Sequence, residues 1–121
     1  MSSELFRRAR RAEAGAARVE DRRRLRLEFF RAVLAEGLES LKVKHAEGAS
    51  GEESVRTHAR FIDGVVQSLT GLVLDDTRRD GLAPTAFVVV ALGGYGRGEL
   101  HPSSDIDLMV VYDGELTPFV Q

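Results

Sequence analysis

The stretch ALGGYGRGELHPSSDIDLMVVY, residues 91–112, decides how this chain is read. An apolar, β-branched run, AFVVVAL at 86–92, leads into Gly93-Gly94. Ten residues then intervene before Asp105 and Asp107, which flank Ile106 at the head of a second apolar run. The unbroken apolar character of 86–92 predicts a central strand buried on both faces. DIDLMVVY, 105–112, predicts a second strand, with Asp105, Asp107, Met109 and Val111 on one face and Ile106, Leu108, Val110 and Tyr112 on the other. Asp113-Gly114 is the turn signal that ends it.

Two carboxylates two apart on a strand lie roughly 6 to 7 Å apart, given a rise of about 3.3 Å per residue. Like charges that close raise one another's pKa unless a cation lies between them. Mg²⁺ meets that need, because it accepts one or two carboxylates and completes its shell with water and phosphate oxygens. Gly93 and Gly94 supply the other half of the chemistry. They leave backbone amides unobstructed, so a phosphate can approach the main chain closely. Arg97 offers a planar guanidinium for bidentate phosphate binding, and Ser103 and Ser104 offer hydroxyls. The candidate set is therefore Asp105 and Asp107 for metal and phosphoryl displacement, with Gly93, Gly94, Arg97 and Ser104 for a triphosphate. Glu99 and His101 are expected to shape the loop. Other phosphate motifs fit poorly: there is no G-x-x-x-x-G-K-[ST], and Glu99 stands where the dinucleotide fingerprint needs its third glycine.

Working outward, residues 4–45 read as two helices. The first, about Glu4 to Val19, carries a thin stripe of Leu5, Phe6, Ala9, Ala12 and Ala16. The second, about Asp21 to Lys44, places Leu27, Phe30, Leu34, Leu38 and Leu41 at spacings of three and four. Gly37 within it costs about 1 kcal/mol relative to alanine without ending the helix. HAEGASGEES, 45–54, is a connector ending in a capping box at Ser50 and Glu53, with Ser54 as a competing cap. A third helix then runs to about Leu74, with Val55, Ile62, Val65, Val66, Leu69, Leu72 and Val73 on one side. His58 shares that side and reads as a hydrogen-bonded core or boundary residue. DDTRRDGLAP, 75–84, reads as a loop.

Composition narrows the function classes. The 121 residues contain no cysteine, which excludes disulfides and Cys-ligated zinc. The longest apolar run, Ala86 to Leu92, is far short of a membrane span. The N-terminal MSSELFRRARRAEAG lacks the apolar core of a signal peptide, so a cytoplasmic protein is expected, with no membrane partner. Residues 1–31 hold ten arginines against five acids, whereas the rest holds seven basic against fourteen acidic residues. A basic arm can bind nucleic acid, but here the arginines alternate with Glu4, Glu13, Glu20, Asp21 and Glu28 and no aromatic ladder accompanies them. The arm reads as the solvated face of a helix, and no nucleic-acid partner is expected.

The stretch ALGGYGRGELHPSSDIDLMVVY resembles the nucleotidyltransferase domain of bacterial PII uridylyltransferases, the bifunctional uridylyltransferase/uridylyl-removing enzymes of the DNA polymerase β-like superfamily. The close match covers about residues 87–112. The resemblance implies an α+β fold: N-terminal helices over 1–83, then over 84–121 the first strands of a nucleotidyltransferase mixed sheet, an incomplete domain. It implies that Asp105 and Asp107 bind Mg²⁺ and that Gly93 and Gly94 cradle UTP. The implied reaction is transfer of UMP to a tyrosine of a PII signalling protein, with release of pyrophosphate. The superfamily also uses a third carboxylate on a later strand, and Asp113 and Glu115 are poor replacements for it. The chain is thus expected to be a fragment that does not catalyse alone. Two other readings are a minimal nucleotidyltransferase with another acceptor, and a non-catalytic regulatory or interaction module.

Overall fold

The computed structural model describes residues 3–121. Among these, helices α1 (Glu4–Glu13), α2 (Val19–Ala46) and α3 (Gly51–Arg79) precede strand β1 (Phe87–Ala91), the single helical turn α4 (Gly93–Gly96) and strand β2 (Leu108–Tyr112). The arrangement is α+β, in the expected order. No described helix is long and apolar enough to cross a membrane.

Helix α1 starts where Ser3 accepts a hydrogen bond from the Phe6 amide, satisfying one orphan donor of the first turn. It stops at Glu13, short of the expected Val19, because Gly15 takes φ +91, a left-handed conformation that ends a helix. Ser50, not Ser54, caps α3: its side chain accepts from the Glu53 amide at 3.1 Å. Helix α3 then continues through 75–79, where composition predicts a loop. Asp75 and Asp76 hold this extra turn. Asp75 pairs with Arg79 at 3.4 Å and with Arg10 of α1, and Asp76 pairs with Arg26 of α2 at 2.9 Å.

That ion cluster corrects a second expectation. Arg7, Arg11 and Arg24 do form a solvated face, but Arg10 and Arg26 turn inward against the nearly buried Glu13. The buried side of α2 also differs from the expected stripe. Phe30, Val33 and Leu41 are buried, while Leu27 and Leu34 are exposed. Gly37 lies on the buried side for a steric reason: a Cβ there would collide with the Phe61 ring of α3. One apolar cluster joins Ala9, Phe30, Val33, Val65 and Leu72 across the three long helices. A second joins Ala59 and Ile62 of α3 to Tyr95 and Leu100 beyond β1.

Strands β1 and β2 pair antiparallel in the register Phe87↔Tyr112 to Ala91↔Leu108. The expectation that 86–92 is buried on both faces fails, since within β1 Val88 is 56% exposed and Val89 36%. With only two strands among the described residues, each strand has an open edge and one face alone meets a helix. On that face Phe87, Val89, Leu108 and Val110 line an apolar cavity of about 320 Å³ shared with Val66, Leu69 and Val73 of α3 and with Phe119. Phe119 meets Phe87 edge-on at 6.0 Å, folding the C-terminal tail back over the sheet.

Candidate functional site

The chain leaves β1 through Leu92 and immediately winds into the turn Gly93–Gly96. Gly93 has φ +58, where a side chain would be strained. Gly96 is required for a different reason: a Cβ there would stand 2.7 Å from the Ala91 carbonyl oxygen. The turn closes through Gly96 N–H to Leu92 O at 2.9 Å, and Glu99 N–H returns to Gly94 O at 2.9 Å. Further along, Ser104 N–H donates to His101 O at 3.0 Å, and Leu100 N–H reaches Val55 O near the start of α3. The loop 97–104 is thus pinned at both ends. Glu99 and His101 take part through their backbones, and both also line the site.

The strand expected over 105–112 is shorter than its sequence suggests, and Asp105 and Asp107 precede it. The physical reason lies in β1. Once the chain turns at Gly93, residues 105 and 106 have no partner strand, and the ladder ends with Leu92 N–H donating to Asp107 O at 3.0 Å. The two aspartates nevertheless open into the same space. A cavity of about 590 Å³ is lined by Gly94, Arg97, Ser103, Ser104, Asp105 and Asp107 together with Val55, Tyr95, Glu99, Leu100 and His101. Gly93 adjoins it from the side: a Cβ built there would lie 3.5 Å from Asp107 Oδ2. All six residues singled out by sequence therefore converge on one place.

The charges in that place suit an anion carried by a cation. Neither Asp105 nor Asp107 has a side-chain hydrogen bond or ion pair among the described residues. Arg97 folds back so that Nη2 is 3.8 Å from a Cβ position on Gly94, and its Nε is 4.0 Å from Glu99 Oε2. At 69% exposure of the arginine side chain, this pair contributes little to stability and leaves the guanidinium available to a ligand. Among the described residues no group of three or more His, Asp or Glu side chains is placed to hold a metal. The two unpaired carboxylates fit Mg²⁺ in its usual role, in which few protein ligands are joined by water and substrate oxygens. Asp113 and Glu115 lie past the far end of β2, and six residues of extended chain put Asp113 about 20 Å from Asp107 at the usual rise per residue.

Tyr95 is the site residue that sequence reasoning misses. It is buried at 6% exposure under the turn, and its hydroxyl donates to Asp63 Oδ1 of α3 at 2.6 Å. Burial, and then this bond to the carboxylate, push the phenol above its ordinary pKa. The one available signal is an aromatic residue set among glycines, where a phosphate loop has no direct use for one.

Comparison with known proteins agrees with this geometry. Residues 77–119 match the family described as the nucleotidyltransferase domain. The chain is 38% identical over 94 residues to the bifunctional uridylyltransferase/uridylyl-removing enzyme of Azospirillum brasilense, covering 76% of this chain and 10% of that protein. It is 36% identical over 93 residues to the enzyme of the same description from Nitrosococcus oceani, covering 77% and 10%. For Streptomyces coelicolor the figures are 42% over 69 residues, 56% and 7%. The chain thus spans about a tenth or less of the length of these curated relatives. No solved structure matches it. These relationships support a nucleotidyltransferase-type function.

Proposed function

We propose, for a chain related to the bifunctional uridylyltransferase/uridylyl-removing enzymes, that the cavity beside Gly93–Gly94 binds a nucleoside triphosphate with Mg²⁺. The observation that carries the reading is the convergence of Asp105, Asp107, Gly94, Arg97 and Ser104 on one cavity, with Asp107 against Gly93. In this reading Asp105 and Asp107 hold the metal. Gly93 and Gly94 let the phosphates approach the main chain, while Arg97 and the Ser104 hydroxyl bind their outer oxygens. The metal supplies neutralisation of phosphate charge as the bond to the leaving group breaks.

The nucleotide is read as UTP and the acceptor as a tyrosine of a PII signalling protein, by similarity to the uridylyltransferases. The tyrosine oxygen, giving up its proton to water, bonds to the α-phosphorus, the bond from that phosphorus to the bridging oxygen breaks, and pyrophosphate leaves. Residues 84–121 belong in this reading to the start of the catalytic domain, carried by the helical region 1–83, in a cytoplasmic enzyme. Because Asp113 and Glu115 lie far from the aspartate pair, the 121 residues are read as binding the metal–nucleotide without turning it over.

Calorimetry with UTP and Mg²⁺ tests the binding. Metal-dependent heat that falls at least tenfold in affinity in Asp105→Asn and Asp107→Asn is the expected result; affinity indifferent to both substitutions would sink the assignment. Incubation with labelled UTP, Mg²⁺ and PII tests the second part, and robust labelling of PII by this chain alone would overturn it. A partner that still binds after both substitutions would favour an interaction module instead.

A further inference from the structure

The turn Gly93–Gly96 has three glycines in four residues, so it has almost no side chains with which to hold its own position. The exception is Tyr95. Its ring packs with Ala59 and Ile62 of α3 and with Leu100, and its hydroxyl reaches Asp63 Oδ1 at 2.6 Å. Hydroxyl-to-carboxylate bonds this short are charge-assisted and stronger than neutral ones. Asp63 is exposed and has no ion pair among the described residues, so this bond is its one polar side-chain contact there. The bond spans 32 positions of sequence and ties the turn to the middle of the longest helix. On the opposite side of the loop, Leu100 is 1% exposed and anchors to the same helix through Val55 O. Helix α3 is therefore the platform on which both the glycine turn and the loop leading to the aspartates rest.

We infer that Tyr95 and Asp63 are positioning residues, whose hydrogen bond seats the Gly93–Gly94 turn on α3 and thereby sets its spacing from Asp105 and Asp107. The inference rests on the nucleotide-binding reading of that cavity. Neither residue need touch the nucleotide, because the effect passes through the backbone of the turn. Losing the hydroxyl leaves the ring in its apolar bed but lets the turn shift against Asp107. Asparagine at 63 keeps an oxygen acceptor for the tyrosine and removes only the charge.

The experiment uses the full 121-residue chain and UTP with Mn²⁺ or Mg²⁺, measured by calorimetry on the parent, Tyr95→Phe, Asp63→Ala and Asp63→Asn. Helix content is followed by circular dichroism. Tyr95→Phe and Asp63→Ala are expected to weaken binding roughly three- to tenfold, as loss of one charge-assisted hydrogen bond allows, with helix content unchanged. Asp63→Asn is expected to recover most of the affinity. A spectroscopic control places Tyr112→Phe in the background, so that Tyr95 is the sole tyrosine. Its tyrosinate absorbance should then appear at lower pH once Asp63 is alanine. Absence of metal–UTP binding in the parent removes the underlying reading. Parent binding that Tyr95→Phe and Asp63→Ala leave unchanged overturns the positioning role alone. Asp63→Asn failing as badly as alanine also overturns it, in favour of a direct role for the charge. An unmoved tyrosinate transition shows that the bond does not form in solution and overturns it as well.

Discussion

A Cβ built on Gly93 would lie 3.5 Å from Oδ2 of Asp107, so the glycine turn and the Asp107 carboxylate face each other across the end of the sheet. That space is ordinary for a methyl group, but the backbone conformation is not, because Gly93 has φ +58. Gly93→Ala is therefore expected to cost about 1–2 kcal/mol of stability through left-handed strain. The methyl also occupies the approach to Asp107, so affinity for metal–UTP should fall further than stability does. Urea unfolding and calorimetry on the same variant separate the two effects.

Gly37→Ala makes the opposite test, in the helical layer. Helix propensity alone predicts a gain of about 1 kcal/mol. The new methyl, however, would overlap three Phe61 ring atoms, closer than real contacts allow. Overpacking of this kind costs about 1–3 kcal/mol, and we expect it to win. A lower urea midpoint is the expected outcome. A raised midpoint would mean that Phe61 swings aside without loss.

The ion cluster at Asp76 should make the helical bundle acid-sensitive. Burial raises the pKa of this carboxyl, but the Arg26 hydrogen bond and the charges of Arg26, Arg22 and Arg10 outweigh it and hold it below the ordinary value. A carboxyl depressed in the folded state contributes stability above its unfolded pKa of about 4 and loses it as pH falls through the folded value. Asp76→Asn should cost about 1–3 kcal/mol near neutrality and flatten the acid limb of stability below pH of about 4. Stability profiles of parent and variant that run parallel there would refute the coupling.

His58 acts in a separate window. It is 8% exposed, and its Nδ1 has no hydrogen-bond partner among the described residues, contrary to the hydrogen-bonded role expected of it. Burial lowers its pKa, so the unfolded chain binds a proton more readily than the folded one. Stability should be full above the unfolded pKa of about 6.5 and decline as pH falls below it. His58→Phe removes both the orphan nitrogen and the titration, and should abolish the decline between about pH 6.5 and 5. Thermal unfolding across that range in both proteins is the measurement.

Much of the site is legible in the chain's residue types and spacing. Gly93, Gly94, Arg97, Ser104, Asp105 and Asp107 are marked in that way, and they gather at one cavity. The Ser50 cap and the existence of the three long helices are legible for the same reason: each depends on groups within a turn or two of one another. Periodicity misjudges the buried side of α2, since it scores Arg22 and Arg26 as solvent-facing. It cannot see that Glu13 and Asp76 from two other helices wait to pair with them. Nor does the apolar run 86–92 reveal that its strand has a single neighbour among the described residues.

By itself, then, the sequence determined the order of elements and the chemical character of the glycine–aspartate stretch. Those follow from local backbone preferences and from which functional groups stand close in the chain. Only the tertiary structure decided how that stretch is held. The Tyr95–Asp63 bond joins residues 32 apart, and the Arg26–Asp76 bond joins residues 50 apart. Contacts over such separations depend on how whole helices pack, and hydrogen-bond partners chosen by packing leave no periodic trace in either segment.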